Sequence, residues 1–160
     1  MIWLDNIQIQ FLARLILAVF LGALIGIERG VSKKHAGMRT YSLVSLGASL
    51  FTIMSEITYQ YFMNTYGGTI SYDPTRMISQ IVVGVGFLGA GMVIVHRERI
   101  FGLTSAAGIW VSAAVGAAVG IGAYFLAISA TILVLFILTI MRQYEHWIKS
   151  RNDKLANKED

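Results

Sequence analysis

Cysteine is absent from the chain, proline occurs once, at Pro74, and charged residues make up only 14% of it. The missing cysteine excludes disulfides, thiolate catalysis and cysteine metal sites. A lone proline leaves no Pro-rich linker. Charge this sparse falls well below the roughly 25% of a soluble domain. His35, His96 and His146 are too scattered for a metal motif, and no EF-hand, HExxH or P-loop spacing occurs. No Ser/His/Asp grouping stands inside the apolar runs. These absences point away from an enzyme, and no cofactor is expected. The start, MIWLDN, lacks the basic region of a cleaved signal peptide.

What the chain has instead is apolar length. Of its 160 residues 56% are hydrophobic, and its mean hydropathy is +0.64. Several runs are long enough for helices that cross a bilayer, which needs about 20 residues. The class is therefore all-α: a polytopic integral membrane protein in contact with the lipid bilayer. Its net charge of +4 reads as topology and not as affinity for nucleic acid.

One run tempts a different reading. Gln80–Gly91, QIVVGVGFLGAG, contains the GxGxxG letters at Gly84, Gly86 and Gly89. A dinucleotide fingerprint also needs a strand before it, a soluble helix after it and an acidic residue about 20 positions on. None is present, so the run reads as a membrane helix whose small residues admit close neighbours. Gly84 and Gly91 share one face, while Gly86, Gly89 and Ala90 lie toward another. This makes it the expected central helix, in which Gly86→Leu or Gly89→Leu would block folding or assembly.

Five spans are expected: Ile7–Ile27, Thr40–Phe62, Met77–Val95, Leu103–Gly120 and Ala123–Met141. Together they form one membrane domain over 1–141, followed by a charged cytoplasmic tail over 142–160. Four spans would result if the last two runs made one broken, re-entrant element. Glu28–Arg39 and His96–Gly102 read as polar loops, and Thr40 as the cap of the second helix. Met63–Asp73 is a polar connector. Asp73 and Pro74 suit the start of the third helix. Small residues form ridges at Gly22, Gly26 and Gly30, and at Gly108, Ser112, Gly116 and Gly120. The last span is bulkier and is expected to face lipid. Arg29, Lys33, Lys34 and Arg39 outweigh Glu28 in the first loop, and Arg97 and Arg99 outweigh Glu98 in the other. The positive-inside rule then places the N-terminus outside and the C-terminus in the cytoplasm.

Ionisable groups within spans mark functional sites by default. Arg14 and Glu56 lie at matching depths of about 10 Å below the outer face, counted at 1.5 Å per residue. They would pair across the first two helices, with Asp73 and Arg76 completing an outer cluster. Ser42, Ser45, Ser49, Thr52, Glu56 and Gln60 recur at helical spacing on one stripe of the second span. The stripe is either glue between helices or the lining of a wet path for an ion or proton. Lys33, Lys34 and His35 set topology, or else touch anionic lipid or a protein partner. Glu28, Arg29 and Arg39 abut helix ends, where interfacial anchoring and a conformational or partner role are both open.

Four motifs then stand in order: GALIGIER (Gly22–Arg29) with AGMRTYSLVSLGASLF (Ala36–Phe51), DPTR (Asp73–Arg76), QIVVGVGFLGAG (Gln80–Gly91), and GLTSAAGIW (Gly102–Trp110) with the small-residue run after it. Together they resemble the membrane domain of the MgtC/SapB family, which includes the YhiD-like group. The resemblance covers about residues 10–135. It implies a multi-pass protein of the bacterial inner membrane, tied to magnesium homeostasis, acid-stress response or virulence. For namesake members it implies inhibition of the F-type ATP synthase. By motif position, the family's polar signature falls on Glu28, Arg29, Arg39, Thr40, Asp73, Arg76, Gln80 and Thr104.

Two functions follow as expectations. The first is a regulatory protein that binds a membrane complex, such as the F-type ATP synthase, through small-residue faces. The second is a transporter or channel for a cation, such as magnesium ion, or for a proton, that uses the Arg14/Glu56 cluster and the polar stripe. A homodimer fits either one.

Overall fold

The computed structural model describes residues 2–31, 36–67, 73, 75–97 and 99–156. Lys33, Lys34, His35 and Pro74 lie outside them. The elements in order are α1 (Ile2–Val31), α2 (Met38–Tyr66), α3 (Thr75–Gly91), β1 (Ile94–His96), β2 (Arg99–Phe101), α4 (Leu103–Gly120) and α5 (Tyr124–Ala156). Among the described residues, three helices are long and apolar enough to cross a membrane: Asn6–Gly30, Leu103–Gly120 and Tyr124–Tyr144. The polar stripe of α2 lowers its hydropathy. α3 has 17 residues, about 25 Å at 1.5 Å per residue.

α1, α2 and α4 make the core, and small residues set how closely they approach. A methyl group at Gly22 would lie 2.7 Å from the Tyr41 carbonyl oxygen, and one at Gly26 would lie 2.6 Å from the Met38 Cα. α1 and α2 therefore cross backbone to backbone and run in opposite directions. α4 packs into α2 in the same way. A Cβ at Gly116 would overlap the Ser45 carbonyl, and one at Gly120 would lie 2.9 Å from that of Ser49. Ser112, one turn before Gly116, is fully buried and donates to the Tyr41 carbonyl at 3.0 Å. Ala18, Leu21, Ile25, Ile109 and Val119 fill the space around these contacts.

The central helix is α4, more than half of it buried. This corrects the expectation that placed Gln80–Gly91 at the centre. α3 lies on the outside of α4, and Gly84, Gly86 and Gly91 have nothing within 4 Å of where a Cβ would stand. Only Gly89 meets a neighbour, Ala106, at 3.7 Å. Glycine content marked α3 as able to pack closely, but packing partners depend on tertiary placement.

Other boundaries also move. The third helix ends at Gly91, not Val95, and the expected His96–Gly102 loop is part of a hairpin. Ile94, Val95 and His96 pair with Phe101, Ile100 and Arg99. β-branched residues favour such a strand. Gly102 at φ +87° closes the hairpin where a Cβ would overlap the Met92 carbonyl. α1 continues through Glu28 and Arg29, so the first loop is shorter than expected. α2 begins at Met38 after Gly37, with no side-chain cap. Thr40 is therefore a first-turn residue and not a cap. Gly67 ends α2 at φ 61°, its amide donating to the Met63 carbonyl at 3.2 Å. α4 and α5 are two separate helices joined by a turn at residues 121–123, with Gly122 at φ +83°. α5 runs on to Ala156, which makes part of the expected tail helical.

Candidate functional site

Two polar clusters mark opposite ends of the bundle. At one end, Arg14 projects from α1 toward three other helices. Its guanidinium donates to the Glu56 carboxylate of α2 at 2.7 Å, to the Gly120 carbonyl at the end of α4 at 2.9 Å, and to the Tyr124 hydroxyl of α5 at 3.2 Å. Phe11, one turn earlier, stacks its ring 5.5 Å from the charge. A cation beside the last carbonyls of α4 also meets the negative end of that helix's dipole. Arg14 is mostly buried, while Glu56 keeps 42% of its side chain exposed.

Asp73 and Arg76 do not join this pair. The Asp73 carboxylate accepts from the Thr75 hydroxyl at 2.6 Å and the Thr75 amide at 2.9 Å. These bonds hold its carboxyl below the usual carboxylate range, with the Arg76 charge adding to the effect. Asp73 thus caps the start of α3, as Asp–Pro suggested, and the four-residue outer cluster reduces to Arg14 and Glu56. A cleft of about 340 Å³ lies beside them, bounded by Thr52, Glu56, Thr75 and Ile78.

At the other end, Glu28 receives Arg142 of α5 at 3.2 Å and lies 3.6 Å from Arg29. Arg29 is 4% exposed, and its Nε has no hydrogen-bond partner among the described residues. Nearby, Tyr41 is fully buried and donates its hydroxyl to the Ser105 carbonyl at 3.1 Å. Its ring rests on Gly108, where a Cβ would come within 2.5 Å of the hydroxyl. Neither Arg142 nor Tyr41 was among the expected site residues. Arg142 is separated from Glu28 by the length of the chain, and one tyrosine among apolar neighbours carries no local signal. Arg39, Thr40 and Thr104 are exposed on first turns near this end, and Gln80 is exposed on α3.

Along the α2 stripe, Ser45, Ser49 and Thr52 are buried against α4. Thr52 donates to its own helix at Ala48, and Ser42 reaches the Val19 carbonyl at 3.4 Å. The Ser45 and Ser49 hydroxyls have no partner among the described residues. The stripe therefore works mainly through small size, which lets the α4 backbone come close. It opens outward only at Glu56 and Gln60, both exposed. Among the described residues, no group of three or more histidine, aspartate or glutamate side chains gathers to hold a metal.

Long apolar helices with bulky side chains turned outward, such as Phe87 and Phe125, together with charges held inside the bundle, are the marks of an α-helical membrane protein. The chain belongs to the MgtC family, whose model matches residues 15–147. It is 38% identical over 143 residues to "Putative magnesium transporter YhiD" of Escherichia coli (strain K12), covering 89% of this chain and 66% of that protein. It is 34% identical over 148 residues to an uncharacterized protein of Haemophilus influenzae, covering 91% and 61%. Against "Protein MgtC" of Salmonella typhimurium it is 37% identical over 137 residues, covering 86% and 54%. The chain thus spans less than two thirds of the length of these relatives. No solved structure matches it.

Proposed function

We propose that the chain is a five-span protein of the bacterial inner membrane, N-terminus outside, that serves magnesium and acid-stress adaptation by docking onto another membrane complex. The name of the relative "Putative magnesium transporter YhiD" supports the magnesium connection. Docking in place of conduction rests on one observation: the polar stripe of α2 is closed by the α4 backbone at Gly116 and Gly120. Two backbones in contact leave no room for a hydrated ion. The docking surface is the outer face of α3, where Val83, Gly86, Phe87 and Ala90 are exposed. Small residues there admit a partner helix. The resemblance makes the F-type ATP synthase the first partner to test, with a second copy of the chain as the alternative.

Affinity purification of the tagged chain from native membranes tests this. A membrane complex should co-purify with the wild type and be lost with Gly86→Leu. Recovery of only this chain and lipid would overturn the docking reading.

A second reading has its own support. Glu56 is half exposed beside the 340 Å³ cleft, which suits a cation or proton path at the outer rim. Liposomes with a magnesium or pH dye inside separate the two. Flux above empty liposomes that falls with Glu56→Gln would favour transport. No flux leaves docking as the function.

A further inference from the structure

The hairpin between α3 and α4 shows apolar side chains on both of its faces. Ile94 pairs with Phe101, Val95 with Ile100 and His96 with Arg99. Cross-strand partners share a face and successive residues alternate, so Ile94 and Phe101 stand on one face and Val95 and Ile100 on the other. All four are between 44% and 68% exposed. The tip is basic: Arg97 and Arg99 outweigh Glu98, and both arginines are exposed. Arg97 adopts φ 53°, a conformation that asparagine or glycine takes at less cost. An arginine there gives up turn stability for a charge at the tip.

We propose that this hairpin docks onto anionic phospholipid headgroups, with its apolar base at the boundary of the acyl chains and Arg97 and Arg99 on the phosphates. The inference rests on the membrane reading of the helices and is independent of the docking surface on α3. Level is the first argument. Tyr41, in the first turn of α2, donates to the Ser105 carbonyl in the first turn of α4, so these two helices begin at one height. The exposed Arg39 belongs to the same turn of α2, which puts that height at the membrane surface. Gly102 joins the hairpin directly to α4. Three rungs span about 7 Å at 3.4 Å per residue, close to the thickness of about 5–8 Å for one headgroup layer.

The balance of polar and apolar groups is the second argument. A two-stranded sheet has two open edges, whose amides and carbonyls need water or headgroups and are excluded from hydrocarbon. Side chains apolar on both faces equally disfavour full immersion in water. The headgroup layer meets both demands, and it surrounds both faces, whereas a protein partner would cover one. Charge is the third argument: two guanidinium groups at the tip complement phosphate oxygens.

The chain has no cysteine, so a single introduced thiol reports one position. Full-length Ile94→Cys and Val95→Cys, on opposite faces and each carrying a fluorophore, are reconstituted in vesicles of equal parts phosphatidylcholine and phosphatidylglycerol. A nitroxide on the acyl chain of either lipid serves as quencher. Both labels should be quenched from the lipid, and nitroxide phosphatidylglycerol should quench at least about threefold more than nitroxide phosphatidylcholine. Arg97→Asn combined with Arg99→Gln should remove that preference. Asparagine suits the backbone of the tip better than arginine does, so this loss would not reflect a lost hairpin. Leu133→Cys, exposed midway along α5, should be quenched equally by both lipids; protection there would overturn the membrane reading itself. Equal quenching of the hairpin labels by the two lipids would overturn the proposal. So would labels reached by aqueous iodide and not by lipid, which would leave the hairpin to a protein partner. Protection of one face alone would also overturn it, by assigning that face to a second copy of the chain.

Discussion

Arg14 reaches Glu56 at 2.7 Å while donating to the Gly120 carbonyl at 2.9 Å, so one guanidinium ties α1 to both α2 and α4. The two partners of this ion pair are not equivalent. Arg14 serves three acceptors on three helices, whereas the half-exposed carboxylate of Glu56 can exchange its partner for water. Removing Arg14 therefore strips more from the bundle than neutralising Glu56. Arg14→Gln should cost about 2–3 kcal/mol, the scale of several hydrogen bonds to a charged group. Glu56→Gln should cost about 1 kcal/mol or less, because exposed pairs contribute little. Unfolding of the purified protein in mixed micelles, followed by circular dichroism, would measure both. Equal losses would show that Arg14 acts on Glu56 alone.

Tyr41 joins the N-terminal ends of α2 and α4 through its hydroxyl on the Ser105 carbonyl, at 3.1 Å and fully buried. Tyr41→Phe keeps the ring against Gly108 and deletes only that bond. A loss of about 1 kcal/mol is expected in the same unfolding assay. Tyr41→Ala would also open a cavity and should cost about 3–5 kcal/mol. If the phenylalanine variant were as damaged as the alanine variant, the hydroxyl would matter more than the packing.

The start of α3 carries a pH dependence whose sign is set by Asp73. Two bonds from Thr75 favour the ionised carboxylate and lower its pKa in the folded state. A depressed pKa contributes stability that is present above the unfolded value near 3.8 and is lost as pH falls through the lower, folded value. α3 should therefore keep its first turn throughout the neutral and mildly acidic range. Amide exchange at Thr75, corrected for the intrinsic rate, should rise only below about pH 4. Asp73→Ala should show the faster exchange at every pH. Fraying that begins near pH 6 in the wild type would assign the capping to a different group.

Much of this arrangement was legible in the residues, for identifiable reasons. Apolar runs divided by glycine and charge define the five helices, because a bilayer permits few alternatives. The Arg14–Glu56 contact follows from two charges at equal depth within apolar spans on consecutive antiparallel helices. The start of α3 follows from Asp–Pro chemistry. What stayed hidden depends on long-range placement. Glu28 and Arg142 meet across 114 positions, with no local pattern to join them. The sequence MVIV after Gly91 fits a helix end and a strand equally well, since a short apolar run carries no distinguishing period. The glycines of α3 and α4 look alike in sequence. Only the fold shows that those of α4 press against α2, Gly108 on the Tyr41 ring and Gly116 and Gly120 on the carbonyls of Ser45 and Ser49.

That difference yields the sharpest test. At Gly116 a methyl group would overlap the Ser45 carbonyl, and both backbones are held by the core. Gly116→Ala must push α4 away from α2, at a cost of about 3 kcal/mol or more. At Gly86 there is nothing within 4 Å. Gly86→Ala should be neutral or stabilise by up to about 1 kcal/mol, since alanine restricts the unfolded chain and suits a helix. Gly89 falls between them: its 3.7 Å approach to Ala106 admits a methyl group, but Gly89→Leu would press into α4. The expected order of stability is therefore Gly86→Leu above Gly89→Leu above Gly116→Leu, read as the midpoint of unfolding in mixed micelles. A Gly86→Leu protein as unstable as Gly116→Leu would return α3 to the centre of the bundle.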